Sequence, residues 1–222
     1  MSYPRFYLAS SSPRRQEMLN WLGLEFRIQP ANVDEAVLPG EKPDEYVWRL
    51  AGEKALRDAS WELENELVLA ADTTVAVDGK ILGKPGSPQE AVDMLRELRG
   101  RTHQVHTAIA LYDPRGRRLE KDFCRADVPM RAYSDEEIAD YVNSGDPLDK
   151  AGAYAIQHTG FHPVEKFGGC FASVMGLPLC HLKRTLKAMG WNLEADTAAV
   201  CLARLAYRCP IHQQVLDGCH GK

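Results

Sequence analysis

No apolar run in this 222-residue chain approaches the ~20 residues a membrane-spanning helix needs. Nor does the N-terminus carry the apolar stretch of a secretory signal. Both absences point to a cytoplasmic protein with no membrane partner. Positive charge is also in deficit: 27 Lys and Arg stand against 31 Asp and Glu, a formal net charge of -4. That balance argues against nucleic acid as the partner, but a local basic pocket for one nucleotide remains compatible with it. The chain has no Walker-type phosphate loop and no dinucleotide glycine fingerprint. No Ser-His-Asp or Cys-His arrangement stands out, and His103, His106, His158 and His162 read as structural or exposed. There is no internal repeat and no low-complexity segment. The six cysteines do not form a spaced disulfide framework and read as reduced thiols, with Cys124, Cys170 and Cys180 as core filler.

The segment near the start of the chain is the most informative. Phe6-Tyr7-Leu8-Ala9 reads as a buried strand, Ser10-Ser11-Ser12 as a turn, and Pro13 as the first residue of a helix carrying Met18, Leu19 and Leu22. Ser11 or Ser12 suits the N-cap. Arg14 and Arg15 sit in the first turn, where the helix dipole alone favours acids. An anion docked at the free N–H groups removes that conflict, so Ser10, Arg14 and Arg15 are candidate phosphate-binding residues.

Further along, Glu25-Phe26-Arg27-Ile28 alternates like a strand, and a helix begins at Asp44 with Lys54 on or beside its apolar face. Leu67-Val68-Leu69-Ala70-Ala71 reads as a buried strand that delivers Asp72 at its end, where sites gather in α/β sheets. Val75-Ala76-Val77 continues into a hairpin at Asp78-Gly79, returning through Ile81 and Leu82 to Lys84. A helix follows from Ser87 to Gly100. Two long strands, Thr102 to Tyr112 and Leu119 to Arg131, come next. Ser134-Asp135-Glu136-Glu137 is a capping box, and a last helix is expected from about Leu179 to Met189. Helices interleaved with hairpins predict a mixed α/β sheet.

Asp72 is the strongest single candidate for chemistry, because a carboxylate beside an apolar strand is costly to bury. Glu35, in the turn Asn32-Val33-Asp34-Glu35, can join Asp72 in holding a divalent cation that shares phosphate ligands. Lys54, Lys84 and Lys150, with Arg14 and Arg15, can surround a polyphosphate. Gln157, in a loop from Asp149 expected to enter a strand, both donates and accepts and so suits the edge of uracil or thymine. Beyond Trp191 the composition changes. Ala195 to Tyr207 reads as a helix inside a poorly ordered extension. Cys209, His212, Cys219 and His220 match no regular zinc pattern.

Several ordered motifs together resemble the Maf family of nucleotide pyrophosphatases. They are Leu8-Ala9-Ser10-Ser11-Ser12-Pro13-Arg14-Arg15, Val33-Asp34-Glu35, Arg49 through Ala55, Ala71-Asp72-Thr73, Gly83-Lys84-Pro85, Gly100-Arg101-Thr102-His103, Pro147 through Tyr154 with Gln157, and Gly176-Leu177-Pro178-Leu179. They run in the family's order over residues 6 to 190, while residues 167–175 are only loosely similar. The resemblance implies a Maf/ITPase-like fold: a mixed, elongated, twisted sheet with flanking helices and two lobes around a deep cleft, often as a homodimer. Residues 1–191 would form that domain, leaving 192–222 as an extension of unknown role.

The implied activity is hydrolysis of a nucleoside triphosphate to monophosphate and pyrophosphate with a divalent metal, Mg²⁺ or Mn²⁺. Asp72 matches the family's proton acceptor, and Glu35, Lys54 and Lys84 match other active-site positions. Arg14, Thr73 and Gln157 match the positions that distinguish the dTTP/UTP type from the 7-methyl-GTP type. Since the family has also been linked to septum formation, a nucleotide-binding regulator of cell division without significant turnover is the alternative expectation.

Overall fold

A computed structural model describes residues 5–57 and 66–218. Among them a six-stranded mixed sheet is flanked by helices, with strand order β2-β1-β3-β5-β6 and β4 attached to β3. The expected α/β class is thereby met. Strands β1 (Arg5–Leu8), β2 (Phe26–Ile28) and β3 (Glu66–Val77) run parallel. Strand β4 (Lys80–Leu82) returns on β3 by the hairpin at Asp78-Gly79. Strands β5 (Thr102–Asp113) and β6 (Arg118–Pro129) add antiparallel neighbours. Three of these strands are 12 residues long, about 40 Å each.

The sequence reading ended the buried strand before Asp72. The structure instead places Asp72 in the middle of one continuous strand, paired with Ala108 of β5. The reason is a change of partner along β3. On one edge it pairs with β5 almost throughout. On the other, β1 runs beside it up to Leu8↔Leu69, and β4 joins only at Val75↔Leu82. Asp72 and Thr73 fall in the interval between.

Helix α1 (Pro13–Trp21) buries Met18 and Leu19, and α2 (Pro43–Leu56) buries Val47, Leu50, Ala51 and Ala55 against the sheet. Helix α3 (Pro88–Leu98) is capped by the Ser87 hydroxyl, which accepts from Glu90 N–H at 3.2 Å. The predicted capping box opens α4 (Asp135–Asn143). A short helix, α5 (Phe171–Val174), precedes α6 (Leu179–Ala188). The apolar residues of α1 and α6 share one core with β1 and the first half of β3. Those of α3 and α4 share another with Val75, Val77 and Val105.

Residues 149–157 do not lead into a strand. Two 3₁₀ turns, Asp146–Asp149 and Ala151–Ala153, are followed by irregular chain, and the Tyr141 hydroxyl ties the two ends by donating to Asp146 at 2.7 Å and accepting from Ala155 N–H at 3.0 Å. The segment past Trp191 also differs from the expected loose extension. Helices α7 (Thr197–Leu205) and α8 (His212–Leu216) bury Cys201 and Val215, and Leu193 joins the core of α6. Asp196 caps α7 by accepting from Ala198 and Ala199 N–H at 3.0 Å. His212 bonds through Nδ1 to the Cys209 carbonyl, and Cys219 and His220 lie outside the described residues.

Gly152 is where the wall formed by residues 150–156 meets the sheet. It has φ +68, and a Cβ there would come 2.9 Å from both methyls of Val75. Gly152→Ala should therefore cost about 2–4 kcal/mol, from backbone strain plus overpacking. Gly23→Ala, also at positive φ but facing open space, should cost about 1 kcal/mol. Thermal melts of the two variants beside the parent chain check the difference.

Candidate active site

The unpartnered interval on β3 opens onto a cavity of about 750 Å³. Its walls come from the β1–α1 turn, the chain after β2, α2, β3, the exit of β4, and the loops on either side of α5. Ser10, Arg14, Arg15, Glu35, Lys54 and Thr73 line it, together with Lys84, Lys150 and Gln157. Asp72 lies behind this surface and is only 6% exposed. All the candidate residues are therefore in one place, with Asp72 one layer in.

Lys54 is the link between the cavity and Asp72. It is buried on α2, in line with Val47 and Ala51, because its helix face packs on β3 and β5. Its ammonium donates to Asp72 Oδ1 at 2.7 Å and pairs with Glu35 Oε1 at 2.6 Å. Glu35 is half-exposed, reached from a loop tied to α2 by the Tyr46 hydroxyl, which donates to the Glu35 carbonyl at 2.9 Å.

The two carboxylates are shifted in opposite directions. Burial pushes Asp72 above its ordinary pKa, against the pull of Lys54 and then Arg15. Partial burial acts the same way on Glu35, but the hydrogen bond and charge of Lys54, with Lys84 and Arg15, hold it below its ordinary value. A weakly held proton on one acid and a tightly held one on its neighbour separates their chemical roles.

Helix α1 delivers the arginines. No side chain caps its N-terminus, which leaves first-turn N–H groups available to another partner. Arg15 is fixed at three points: Nε donates to the Gly176 carbonyl at 2.9 Å, Nη1 to Ser10 Oγ at 3.0 Å and Nη2 to Thr73 Oγ1 at 3.3 Å. Desolvation lowers its pKa, partly offset by Asp72. Arg14 and Lys84, in contrast, make no side-chain hydrogen bond or ion pair among the described residues. Lys150 is occupied by Asp149 at 2.6 Å and by Asp146, so its charge is already balanced. Gln157 is exposed on the cavity wall.

The sequence reading did not single out Thr107 or Ser173. Thr107 is fully buried, contacts Thr73 and donates to the Ser173 carbonyl at 2.9 Å. Its sequence signal was slight: a threonine at the head of the apolar run Ala108-Ile109-Ala110-Leu111.

Among the described residues no group of three or more His, Cys, Asp or Glu is placed to hold a metal on protein ligands alone. Glu35 and Asp72 do already share one cation, the Lys54 ammonium. Two carboxylates beside a cavity lined by Arg14, Arg15 and Lys84 are the donor type that suits a hard cation.

A family model described as "Maf-like protein" matches residues 5–189. The chain belongs to the Maf family. Curated relatives that carry the name dTTP/UTP pyrophosphatase match most of the chain. The one from Geobacter sp. (strain M21) is 45% identical over 183 residues, covering 82% of this chain and 94% of that one. The one from Methylobacillus flagellatus is 47% identical over 187 residues, covering 84% and 93%. Among solved structures, a nucleoside-triphosphatase / dITP/XTP pyrophosphatase from Mycobacterium abscessus overlaps at TM-score 0.37 and 16% identity, over 58% of this chain and 75% of that one. The Maf match stops before α7, so the packed C-terminal helices lie outside the matched residues.

Lys54→Met would leave the Asp72 carboxylate buried without its counter-charge, which costs about 3–5 kcal/mol where that carboxylate is ionised. The folded pKa of Asp72 is already raised and would rise further. The folded state then holds a proton that the unfolded state has lost above pH ~4. The stability deficit of Lys54→Met should accordingly be small in acid and grow as pH rises from about 4 toward the folded pKa. Denaturant unfolding of both proteins at pH 4 and pH 8 measures it.

Proposed function

We propose that this Maf protein hydrolyses dTTP and UTP, or modified pyrimidine nucleotides of the same base edge, to the monophosphate and pyrophosphate. The observation that carries the reading is the Asp72–Lys54–Glu35 line, running from a buried carboxylate to a cavity rimmed by Arg14, Arg15 and Lys84. The names of the relatives supply the substrate class. The catalytic unit in this reading is residues 1–191, with 192–222 as an extension.

The cationic rim and the N-terminus of α1 take the phosphate chain. Ser10 and Arg15 are held together at 3.0 Å and offer donors on one side. Lys84, exposed and carrying no counter-ion among the described residues, offers charge on the other. Glu35 and Asp72 are the residues that would hold Mg²⁺ or Mn²⁺. When bound, such an ion supplies charge stabilisation to the phosphate oxygens.

Asp72 takes the proton from the attacking water. Burial lifts its pKa, which makes it a better base than an exposed aspartate. Lys54 opposes that lift, so turning its ammonium toward the incoming phosphates strengthens the base when substrate is present. Water adds to the α-phosphorus as its proton passes to the Asp72 carboxylate. The bond to the bridging oxygen breaks, and pyrophosphate leaves against the lysines. Thr73, beside Asp72 and bonded to Arg15, and Gln157 on the cavity wall read the base.

The reading is tested by pyrophosphate release with Mg²⁺ or Mn²⁺ across dTTP, UTP, CTP, ATP, GTP and 7-methyl-GTP. The expected result is preference for dTTP and UTP, with kcat lowered about 10²–10⁴-fold in Asp72→Asn. Nucleotide binding without release would refute turnover, and unchanged turnover in Asp72→Asn would remove that residue from its role.

A further inference from the structure

Thr73 of β3 and Thr107 of β5 are register partners, with hydroxyl oxygens 3.0 Å apart. The direction of that hydrogen bond decides what Thr73 can offer to a substrate. Each hydroxyl has one proton and two lone pairs. Thr107 is fully buried and gives its proton to the Ser173 carbonyl at 2.9 Å. Toward Thr73 it can therefore only accept, and Thr73 must donate.

From the other side Arg15 Nη2 donates into Thr73 Oγ1 at 3.3 Å, and a guanidinium has no acceptor to return. The chain Arg15 → Thr73 → Thr107 → Ser173 C=O thus runs one way from a fixed cation to a carbonyl. Each bond polarises the next, which favours this order over its reverse. The Thr73 hydroxyl has its proton and one lone pair committed, and what is left is a single lone pair.

We propose that Thr107 is a positioning residue for substrate selection: it holds the Thr73 hydroxyl as a pure acceptor at the cavity wall. A pyrimidine whose ring N3 bears hydrogen, as in uracil and thymine, meets that acceptor with a donor. Cytosine presents a bare N3 lone pair and meets it with repulsion. This rests on the reading above that Thr73 faces the base. Gln157 cannot make the distinction alone, because its amide turns over to present either a donor or an acceptor. A site whose polarity is locked rejects the wrong partner by leaving buried polar groups unpaired, the stronger form of discrimination. Gly176 keeps the approach open: a Cβ there would stand 3.4 Å from Thr73 Oγ1 and from Arg15 Nε.

The test compares kcat/KM for UTP and CTP in the parent chain, Thr107→Val and Thr107→Ser. Valine keeps the shape but cannot accept, so the Thr73 proton becomes free to turn toward the cavity. The UTP-to-CTP ratio should fall about tenfold or more, chiefly through a lower KM for CTP, and serine should restore it. An unchanged ratio in Thr107→Val overturns the proposal. An equal loss in Thr107→Ser also overturns it, since packing alone would then be the cause.

For a variant too slow to assay, the same ratio is read from the Kd of the α,β-methylene analogues of UTP and CTP. If Thr107→Val does not fold, Thr73→Val, which deletes the accepting oxygen, should lower the ratio, and a retained ratio overturns the proposal. A parent chain that releases no pyrophosphate from any pyrimidine triphosphate fails earlier. That result removes the pyrophosphatase reading, and this proposal with it.

Discussion

A carboxylate in the middle of a buried strand has to be balanced by charge, and in this protein the balancing group is Lys54. An aspartate shielded from water is costly unless paired, and its partner must itself be carried on a packed surface. Helix α2 meets that demand by placing a lysine on the stripe that otherwise holds Val47, Ala51 and Ala55. The lysine then has a second acid within reach, Glu35, whose loop is anchored back onto α2 through Tyr46. The arrangement of α2, the loop after β2 and the centre of β3 follows from this one ion pair.

The arginine side of the cavity has a comparable logic. Arg15 commits three of its five N–H groups to protein acceptors, joining the β1–α1 turn to β3 and to the turn at Gly176. Arg14, one residue earlier, has no such ties among the described residues. Two adjacent arginines in one helical turn therefore divide into a fixed scaffold and an uncommitted charge. Nothing in the dipeptide itself distinguishes them.

Much of this was legible from the chain, and the exceptions have physical causes. Pro13, the box at Ser134–Glu137 and the hairpin at Asp78-Gly79 are local signals, and the structure follows them because neighbouring residues decide them. The position of Asp72 within its strand was misjudged because strand length depends on which partners arrive on each edge, and β1 and β5 come from far along the sequence. The irregular path of residues 154–157 is set by Tyr141, from a different helix. Helix α7 is rich in apolar residues, but its packing is not legible in the chain because the surface on α6 that it matches exists only after folding. At the candidate site, residue types could be read from motifs, but Thr107 could not: its meaning lies in whom it faces.

The interval on the edge of β3, between the last residue beside β1 and the first beside β4, has a consequence for how such a protein diversifies. Its boundaries are fixed by strand lengths and by the hydrogen-bond ladder on the opposite edge. No cavity side chain is needed to keep it open. Arg14 and Gln157 line the cavity without a side-chain hydrogen bond or ion pair among the described residues and can be exchanged without rebuilding the backbone, whereas Thr73 is tied to Arg15 and Thr107. The architecture separates the durability of the reaction chamber from the identity of what enters it, so new ligand preferences can arise on an unchanged frame.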